Sequence, residues 1–483
     1  MRMFWRGLVG YLPANAVQGI VGLLSVVVFT RLLSPTAYGA YAVAFSAASL
    51  AHTLIFTWLE AAMARFYARE AEAGRLEDHF AAIYRAFAVL AAVFLAAASL
   101  VAWLLPLEPV LKNAVAAGLF CVPLRSLAKL AQEHRRAAGR VRPSALLDIG
   151  QSTGAFVIGA GLAAMGAGGA APLLGAGLAA IACAVWVLPG EIGLARRGHF
   201  DRRRAADHFH YGLPVALSLI LSLALATTDR FMLAGFLSPE SVGVYHAGYS
   251  LSNRTLDVLF IWLGAAGGPA AIMALERGGE AALKETAREQ ASLMALICLP
   301  AAVGLALVAH PLAGLMVGEG LRDGAARVTP WIAVSGLFAG VTTYYLHTAF
   351  TLARRTRLML VAMAVPAGIN LLLTFLLIPR FGLDGAMWAT TASYVIGALA
   401  SFVLGRRVMP LPIPWNAVVR CGLAAALMGV AVRLVPASGG AVELAEKALV
   451  GVVVYGLSAF ALDAAGLRSR RLQMVRALQG AAA

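Results

Sequence analysis

The most constraining feature of this sequence is the recurrence, along its whole length, of apolar blocks of about 20 residues. An α-helix of that length crosses the roughly 30 Å hydrocarbon core of a membrane, because each residue adds about 1.5 Å. The hydrophobic fraction is 60% and only 13% of the residues are charged, which is outside the range of ordinary soluble domains. The sequence therefore predicts an all-α integral membrane protein.

The apolar blocks predict about 14 transmembrane helices. Asn15 and Gln18 interrupt the first block and no small-residue cleavage site follows it, so we expect this helix to be retained. The predicted spans lie near residues 7–31, 38–64, 83–105, 109–131, 144–166, 171–195, 211–236, 242–274, 289–309, 328–352, 358–378, 383–405, 415–436 and 444–466.

The distribution of Lys and Arg predicts the orientation of the chain. One alternating set of loops and termini holds 28 of these residues and the other holds seven, and basic loops stay on the cytoplasmic side. Both termini are therefore expected in the cytoplasm, including a basic tail at 468–483. The net charge of +15 is spread over these loops, so we assign it to topology and anionic membrane lipids, and no nucleic acid partner is expected.

A short segment occurs twice. The sequence LLSPTAYGAYAVAFS begins at Leu32, and FLSPESVGVYHAGYS begins at Phe236, an offset of 204 residues. In each copy Ser-Pro ends one helix and leads through a tight turn into the next. An even number of spans separates the copies, which predicts a parallel repeat of two six-helix lobes, 1–200 and 205–405, followed by two extra helices in 415–467.

Polar residues fall on single faces of four predicted spans. Such faces would be costly against lipid, so we expect them to line a shared wet cavity between the lobes. The faces comprise Gln18 and Ser25 on the first span, Ser46, Ser49 and Thr53 on the second, Ser222 and Asp229 on the seventh, and Ser250, Asn253, Arg254 and Asp257 on the eighth.

Depth in the membrane ranks the charged residues. Arg254 lies about 12 residues into its span, roughly 18 Å deep, and is either a ligand-binding cation or a structural partner of Asp257 one turn away. Asp229 is either a titratable coupling group or a neutralising neighbour of Arg230 or Arg254. Three charged residues nearer the inner boundary are interpreted as snorkelling side chains, namely Glu60, Arg125 and Asp148.

Several segments together resemble a known transporter family. They are FTRLLSPTAYGAYAVAFSAASL, ARFYARE, AAGRVRP and TTDRFMLAGFLSPESVGVYHAGYSLSNR. The sequence is similar to the polysaccharide-transport, or Wzx-type, flippases of the multidrug/oligosaccharidyl-lipid/polysaccharide exporter superfamily. This resemblance implies two lobes arranged in a V around a central cavity and transport by alternating access. It also implies that the protein is located in the bacterial inner membrane. Asp229, Arg230 and Arg254 match positions where such proteins often carry charge, whereas the first-half counterparts Ser25, Val26 and Leu50 carry none.

The resemblance implies transport of a polyprenyl-pyrophosphate-linked oligosaccharide for surface polysaccharide such as O-antigen or lipopolysaccharide. No cofactor or metal site is expected, and coupling to H⁺ or Na⁺ and contact with polysaccharide polymerase machinery remain open. One alternative is an ion-coupled drug or cation exporter of the same superfamily, which would favour acidic over basic residues in the membrane. Another is a membrane polysaccharide polymerase or ligase, for which the connection around 310–329 offers only His310, Arg322 and Arg327.

Overall fold

The computed structural model describes residues 2–469, with only the backbone described for 2–13 and 15. Within this range the chain is helical and contains no strand. The first eight helices are α1 (Arg2–Leu32), α2 (Pro35–Ile55), α3 (Thr57–Glu72), α4 (Leu76–Leu104), α5 (Pro109–Ala137), α6 (Val141–Ala164), α7 (Ala171–Arg197) and α8 (Arg202–Phe236). The others are α9 (Pro239–Leu307), α10 (Ala309–Met316), α11 (Glu319–Val341), α12 (Thr348–Leu352), α13 (Thr356–Arg406), α14 (Trp415–Leu434) and α15 (Gly440–Ala461).

Each predicted span has a helical counterpart. Helices α9 and α13 each contain two predicted spans, separated by breaks at Gly279 (φ 65°) and Gly382 (φ 59°). Helices α2 and α3 form one span bent by 46°. Among residues 2–469, nine helices are long and apolar enough to cross a membrane, or ten if this bent pair counts as one span. The predicted all-α membrane fold is confirmed.

The connection predicted around 310–329 is formed by helices. Helix α10 and the start of α11 occupy it, with only Val317 and Gly318 between them. Gly314 and Gly320 lie inside these helices. His310 lies in the first turn of α10.

The contacts of the chain divide it into two compact units, Met1–His246 and Ala247–Ala483. In the first unit α2 packs along α5, α6 along α1 and α7, and α3 along α8. Its core centres on the bend between α2 and α3, where Phe56, Leu59 and Met63 pack with Phe80 and Ile83 of α4. The division of the repeat into lobes 1–200 and 205–405 stays a prediction.

In the second unit α11 packs on α13, and α10 packs on α11 and α15. Its main core joins Leu256 and Phe260 of α9 to Cys298 further along the same helix and to Tyr345. Helices α14 and α15 pair through small residues, and the Tyr455 hydroxyl donates to the Leu296 carbonyl over 2.7 Å. The two C-terminal helices are thus anchored to the second half of α9. The four cysteines are free thiols.

The repeated Ser-Pro turns begin helices as predicted. Ser34 caps α2, because its hydroxyl accepts a hydrogen bond from the Ala37 amide at 3.2 Å. In the second copy the Ser238 hydroxyl accepts from the Ser241 amide at 3.3 Å at the start of α9. Both helices therefore start by the same local mechanism.

The two turns also touch each other within the first unit. A Cβ atom on Gly39 would lie 1.6 Å from the carbonyl oxygen of Pro239, and one on Gly243 would lie 2.6 Å from that of Pro35. The contact is reciprocal, since each glycine of the repeat lies against the proline of the other copy. Backbone approach this close leaves no room for a side chain, which explains why the repeat keeps a glycine at this position.

We expect Gly39→Ala to destabilise the protein by about 1–3 kcal/mol, the usual cost of forcing an extra carbon into a packed contact. Denaturant unfolding of the detergent-purified protein measures the change. The matched control is Gly235→Ala in α8, where nothing lies within 4 Å of the added carbon. Equal effects of the two substitutions would show that the Gly39 contact relaxes without cost.

Candidate functional site

A polar cavity of about 470 Å³ lies inside the first unit. It is formed by α1, α2, α5 and α6, with one residue each from α7 and α8. Its lining residues are Gln18, Ser49, His52, Thr53, Val122, Arg125, Lys129, Gln132, Asp148, Gln151, Ser152, Ala155, Ala176 and Leu223. We refer to it as the first-unit cavity.

Two cations of α5 lie in this cavity. Arg125 and Lys129 are four residues apart and so occupy the same face of the helix. The Arg125 guanidinium lies 5.9 Å from the centre of the Phe45 ring, a cation–π contact, and among the described residues it has no ion-pair partner within 4.0 Å. Lys129 lies 3.7 Å from Glu133. Arg125 therefore brings a charge into the cavity that no neighbouring carboxylate neutralises directly.

The cavity also contains one carboxylate, Asp148 of α6. It is 7% exposed and accepts a hydrogen bond from Arg136 at 2.8 Å. Arg136 also contacts Glu133 at 3.0 Å, so Glu133 is shared between Arg136 and Lys129. Because Asp148 has its own arginine, it leaves the positive charge of Arg125 largely in place.

Neutral polar groups complete the lining. The Gln132 amide donates to the Gln151 carbonyl oxygen at 2.7 Å, which links α5 to α6. Ser152 donates to the backbone carbonyl of Asp148 at 2.8 Å. Amides and hydroxyls both donate and accept hydrogen bonds, so a wall of this kind matches the hydroxyl groups of a carbohydrate.

His52 connects the cavity to a buried acid. Its Nδ1 lies 2.7 Å from the Ser126 hydroxyl, and its Nε2 lies 3.1 Å from Oε1 of Glu60. Glu60 is 7% exposed. The snorkelling interpretation is therefore wrong for Glu60 and Asp148: depth near a membrane boundary does not imply exposure when a neighbouring helix supplies a partner.

The residues predicted on the first two spans have separate environments. Gln18 and Ser49 line the first-unit cavity. Ser46 is 1% exposed and donates to the Ala42 carbonyl of its own helix at 2.9 Å. Ser25 likewise donates to Val21, at 2.7 Å. The structure thus brings Gln18 and Ser49 of the predicted stripes together with α5 and α6.

The predicted residues of α8 lie partly in a buried network beside the repeated turn. Asp229 is fully buried and accepts from the Tyr245 hydroxyl at 2.7 Å. Arg230 donates to the ring of His246 at 3.3 Å and to a carbonyl of its own helix. Ser222, two turns earlier, is exposed.

The remaining predicted residues belong to α9 in the second unit. Ser250 is buried, whereas Arg254 is exposed and, within the described part of the chain, has no ion pair within 4.0 Å. Asp257 accepts instead from the Asn253 amide at 2.6 Å. That the stripes of both halves face one common cavity stays a prediction.

Sequence reasoning missed the contribution of α5 and α6, because it considered only the spans adjacent to the repeated turn. The signal was present: Arg125, Lys129 and Gln132 recur at helical spacing on α5, as do Asp148, Gln151 and Ser152 on α6. Polar faces on these two spans are as unusual in a membrane helix as those on the first two.

Comparison with known proteins identifies a family for this chain and solved structures that share its fold. Residues 28–323 match the family described as polysaccharide biosynthesis protein, which is more than half of the chain. The chain belongs to this family, which agrees with the polysaccharide-transport resemblance of the quoted segments. Among curated proteins, no sequence matches the chain.

Solved structures share the fold at low sequence identity. A lipid II flippase, MurJ, in an inward closed conformation has a TM-score of 0.76 and 12% identity, covering 94% of this chain and 98% of its own. An inward-facing multidrug resistance MATE family transporter of the MOP superfamily has a TM-score of 0.60 and 15% identity, with coverage of 82% and 93%. A MOP superfamily transporter from Pyrococcus furiosus has a TM-score of 0.50 and 15% identity, with coverage of 84% and 93%.

Cysteine accessibility tests the geometry of the first-unit cavity. In a background with the four native cysteines replaced, we expect Ser49→Cys and Ser152→Cys to react rapidly with a water-soluble maleimide. Ser46→Cys should react at least about tenfold more slowly, because its side chain is packed inside the helix bundle. Mass spectrometry of the labelled protein gives the rates. Equal labelling at positions 46 and 49 would contradict the described packing of α2.

Proposed function

We propose that this protein is a flippase that moves a polyprenyl-pyrophosphate-linked oligosaccharide across the membrane by alternating access, for surface polysaccharide biosynthesis. Membership of the polysaccharide biosynthesis family supports the biological role. A lipid II flippase with the same fold supports the type of transport. The observation that carries the proposal is the pairing of Arg125 and Lys129 with amides and hydroxyls in one cavity.

The chemistry of the lining matches the two polar parts of this cargo. Arginine remains ionised when partly desolvated and its planar group can bind two phosphate oxygens, while lysine adds a second charge as a point cation. Gln18, Gln151 and Ser152 offer the donors and acceptors that sugar hydroxyls need. The prenyl chain requires no polar partner and can stay in the hydrocarbon region.

A drug or cation exporter is less well supported by the same lining. A cationic cargo would be repelled by Arg125 and Lys129, and the cavity's one carboxylate, Asp148, is already paired with Arg136. A polymerase or ligase is disfavoured because 310–329, where a catalytic loop would lie, is helical. We therefore propose that the protein is a transporter and catalyses no bond formation.

Further features belong to the same proposal. The excess of basic residues in alternate loops supports a multi-pass arrangement in a bacterial inner membrane with both termini in the cytoplasm. Coupling to H⁺ or Na⁺ and association with a polysaccharide polymerase would fit a flippase of O-antigen or lipopolysaccharide repeat units. Arg254, with Asp257, Asn253 and Ser250, is proposed as a second phosphate-binding group.

Removing the charge of Arg125 or Lys129 should reduce transport. We expect Arg125→Gln to lower flipping by about tenfold or more, since a hydrogen bond to a charged group is worth about 1.5–3 kcal/mol. Arg125→Lys should retain part of the activity because the charge remains. Translocation of a fluorescent lipid-linked oligosaccharide in proteoliposomes measures the rate. The matched control is Lys284→Gln, an exposed lysine on α9.

Equal protein amounts in the vesicles exclude a folding defect. Full activity of Arg125→Gln and Lys129→Gln would refute the assignment of cargo binding to this cavity. Formation of a new glycosidic bond by the wild-type protein in the same assay would identify an enzyme instead of a flippase.

The role of Arg254 is tested by a pair of substitutions. If Arg254 binds phosphate, Arg254→Gln should abolish transport and Arg254→Lys should keep part of it. If Arg254 only neutralises Asp257, the double variant Arg254→Gln with Asp257→Asn should restore the transport lost in the single variant. The same proteoliposome assay, at equal protein amounts, distinguishes the two results.

A further inference from the structure

His52 and Glu60 form an unusual buried pair at the edge of the first-unit cavity. His52 lies in the last turn of α2 and Glu60 in the first turn of α3, on either side of the 46° bend. The His52 ring is partly exposed and lines the cavity, whereas Glu60 is enclosed. The pair therefore joins an aqueous space to a carboxylate inside the helix bundle.

His52 is the ion-pair partner of the Glu60 carboxylate. Oε1 of Glu60 has no hydrogen-bond donor among the described residues, and the approach of His52 Nε2 at 3.1 Å is too oblique for a hydrogen bond. An enclosed carboxylate without a hydrogen bond is costly unless a positive charge lies beside it. A proton on His52 would supply that charge, because a protonated imidazole and a carboxylate attract one another without strict alignment.

The hydrogen bond to Ser126 can accommodate either charge state of the ring. In the neutral ring, Nε2 keeps its hydrogen on the side of Glu60 and the Ser126 hydroxyl donates to Nδ1. When Nδ1 takes a proton from the cavity water, the Nδ1–H donates to the same hydroxyl oxygen. The hydroxyl group only rotates, and the net charge of the pair changes from −1 to 0.

The charge of the His52–Glu60 pair affects anion binding because cations of the cavity lie close to it. From α5, Arg125 interacts electrostatically with Glu60, and Lys129 lines the same cavity one turn along. From α6, Asp148 is held by Arg136. On the other sides, α4 presents Phe87 and Phe94 to Phe56, and the α8 backbone at Gly212 lies against Trp58. The negative charge of the pair therefore offsets part of the charge of Arg125 without a direct ion pair.

We propose that His52 and Glu60 form a proton-binding dyad that controls the affinity of the first-unit cavity for its anionic cargo. When the dyad carries a charge of −1, the negative charge of Glu60 cancels part of the positive potential that Arg125 produces in the cavity. With a proton bound the dyad is neutral and the cavity attracts an anion more strongly. Proton and anion therefore bind cooperatively, and each raises the affinity of the other by the same factor. The inference rests on the proposed function, because it needs an anion in this cavity.

The test measures binding of citronellyl sulfate, a prenyl anion whose charge does not vary with pH in the range used. Imidazole is the side chain that ordinarily titrates between about pH 5 and pH 8. We expect the full-length protein in detergent to bind this probe about 5- to 20-fold more tightly at about pH 5.5 than at about pH 8. Calorimetric titration gives both affinities.

Two variants and a control locate the effect. His52→Gln should bind the probe with the same weak affinity at both pH values. Glu60→Gln should bind at about pH 8 as tightly as the wild type does at about pH 5.5, because its negative charge is gone. The control is His210→Gln, an exposed histidine that bonds only the Ala206 carbonyl of its own helix, and it should behave as wild type.

A second measurement keeps the two proposals separable. The signals of the His52 ring, identified in the NMR spectrum of ¹³C-histidine-labelled protein by their loss in His52→Gln, should differ between about pH 5.5 and about pH 8 as the ring gains a proton. Probe binding that is independent of pH, or a His52 ring that does not titrate, would overturn the dyad and leave the flippase proposal standing. Absence of probe binding at both pH values, with normal His52 titration, would count against the cargo site and retain the proton-binding dyad.

Discussion

Polar groups that helices carry into the membrane need hydrogen-bond or ion-pair partners from the protein, because the hydrocarbon core contains no water to solvate them. The rest of the structure depends on this requirement. In the first unit several buried carboxylates are satisfied by donors from other helices. Glu191 of α7 accepts from Tyr84 of α4 and, over 2.8 Å, from both His134 and Arg135 of α5. Such pairs contribute little net stability after desolvation, but they are strongly directional and specify which helices are neighbours.

The same requirement distinguishes structural from functional charges. Glu191 has donors for both of its oxygens, and Asp148 is bonded to Arg136. Arg125 is different, since an aromatic ring is its described neighbour and water in the cavity must complete its solvation. A cation held in this state is stabilised when an anion replaces the water. The unsatisfied group therefore indicates the function, and the satisfied groups hold the helices that position it.

Much of the fold could be predicted from the sequence because a membrane span has a fixed length and a simple composition. The helix ends were less predictable: Gly279 and Gly382 each form a short break between two helices, where a longer loop was expected. The site was only partly predictable. Gln18 and Ser49, which helical spacing placed on polar faces, line the first-unit cavity. The spacing could not show which helix faces them, and Arg125 was assigned to the membrane boundary.

The internal repeat predicts which backbone turns the two halves share, but it does not predict which charged side chains they share. Gly39 and Gly243 are both retained because the two turns touch through their backbones, so a change in either one is penalised by the other. No comparable contact links Arg125 of the first half to the residue at the equivalent position in the second half. At the same offset of 204 residues, Arg125 corresponds to Thr329, which is fully buried and donates to the Ala325 carbonyl of its own helix at 2.7 Å. The two halves therefore share their turns, while the first half alone places a cation at this position.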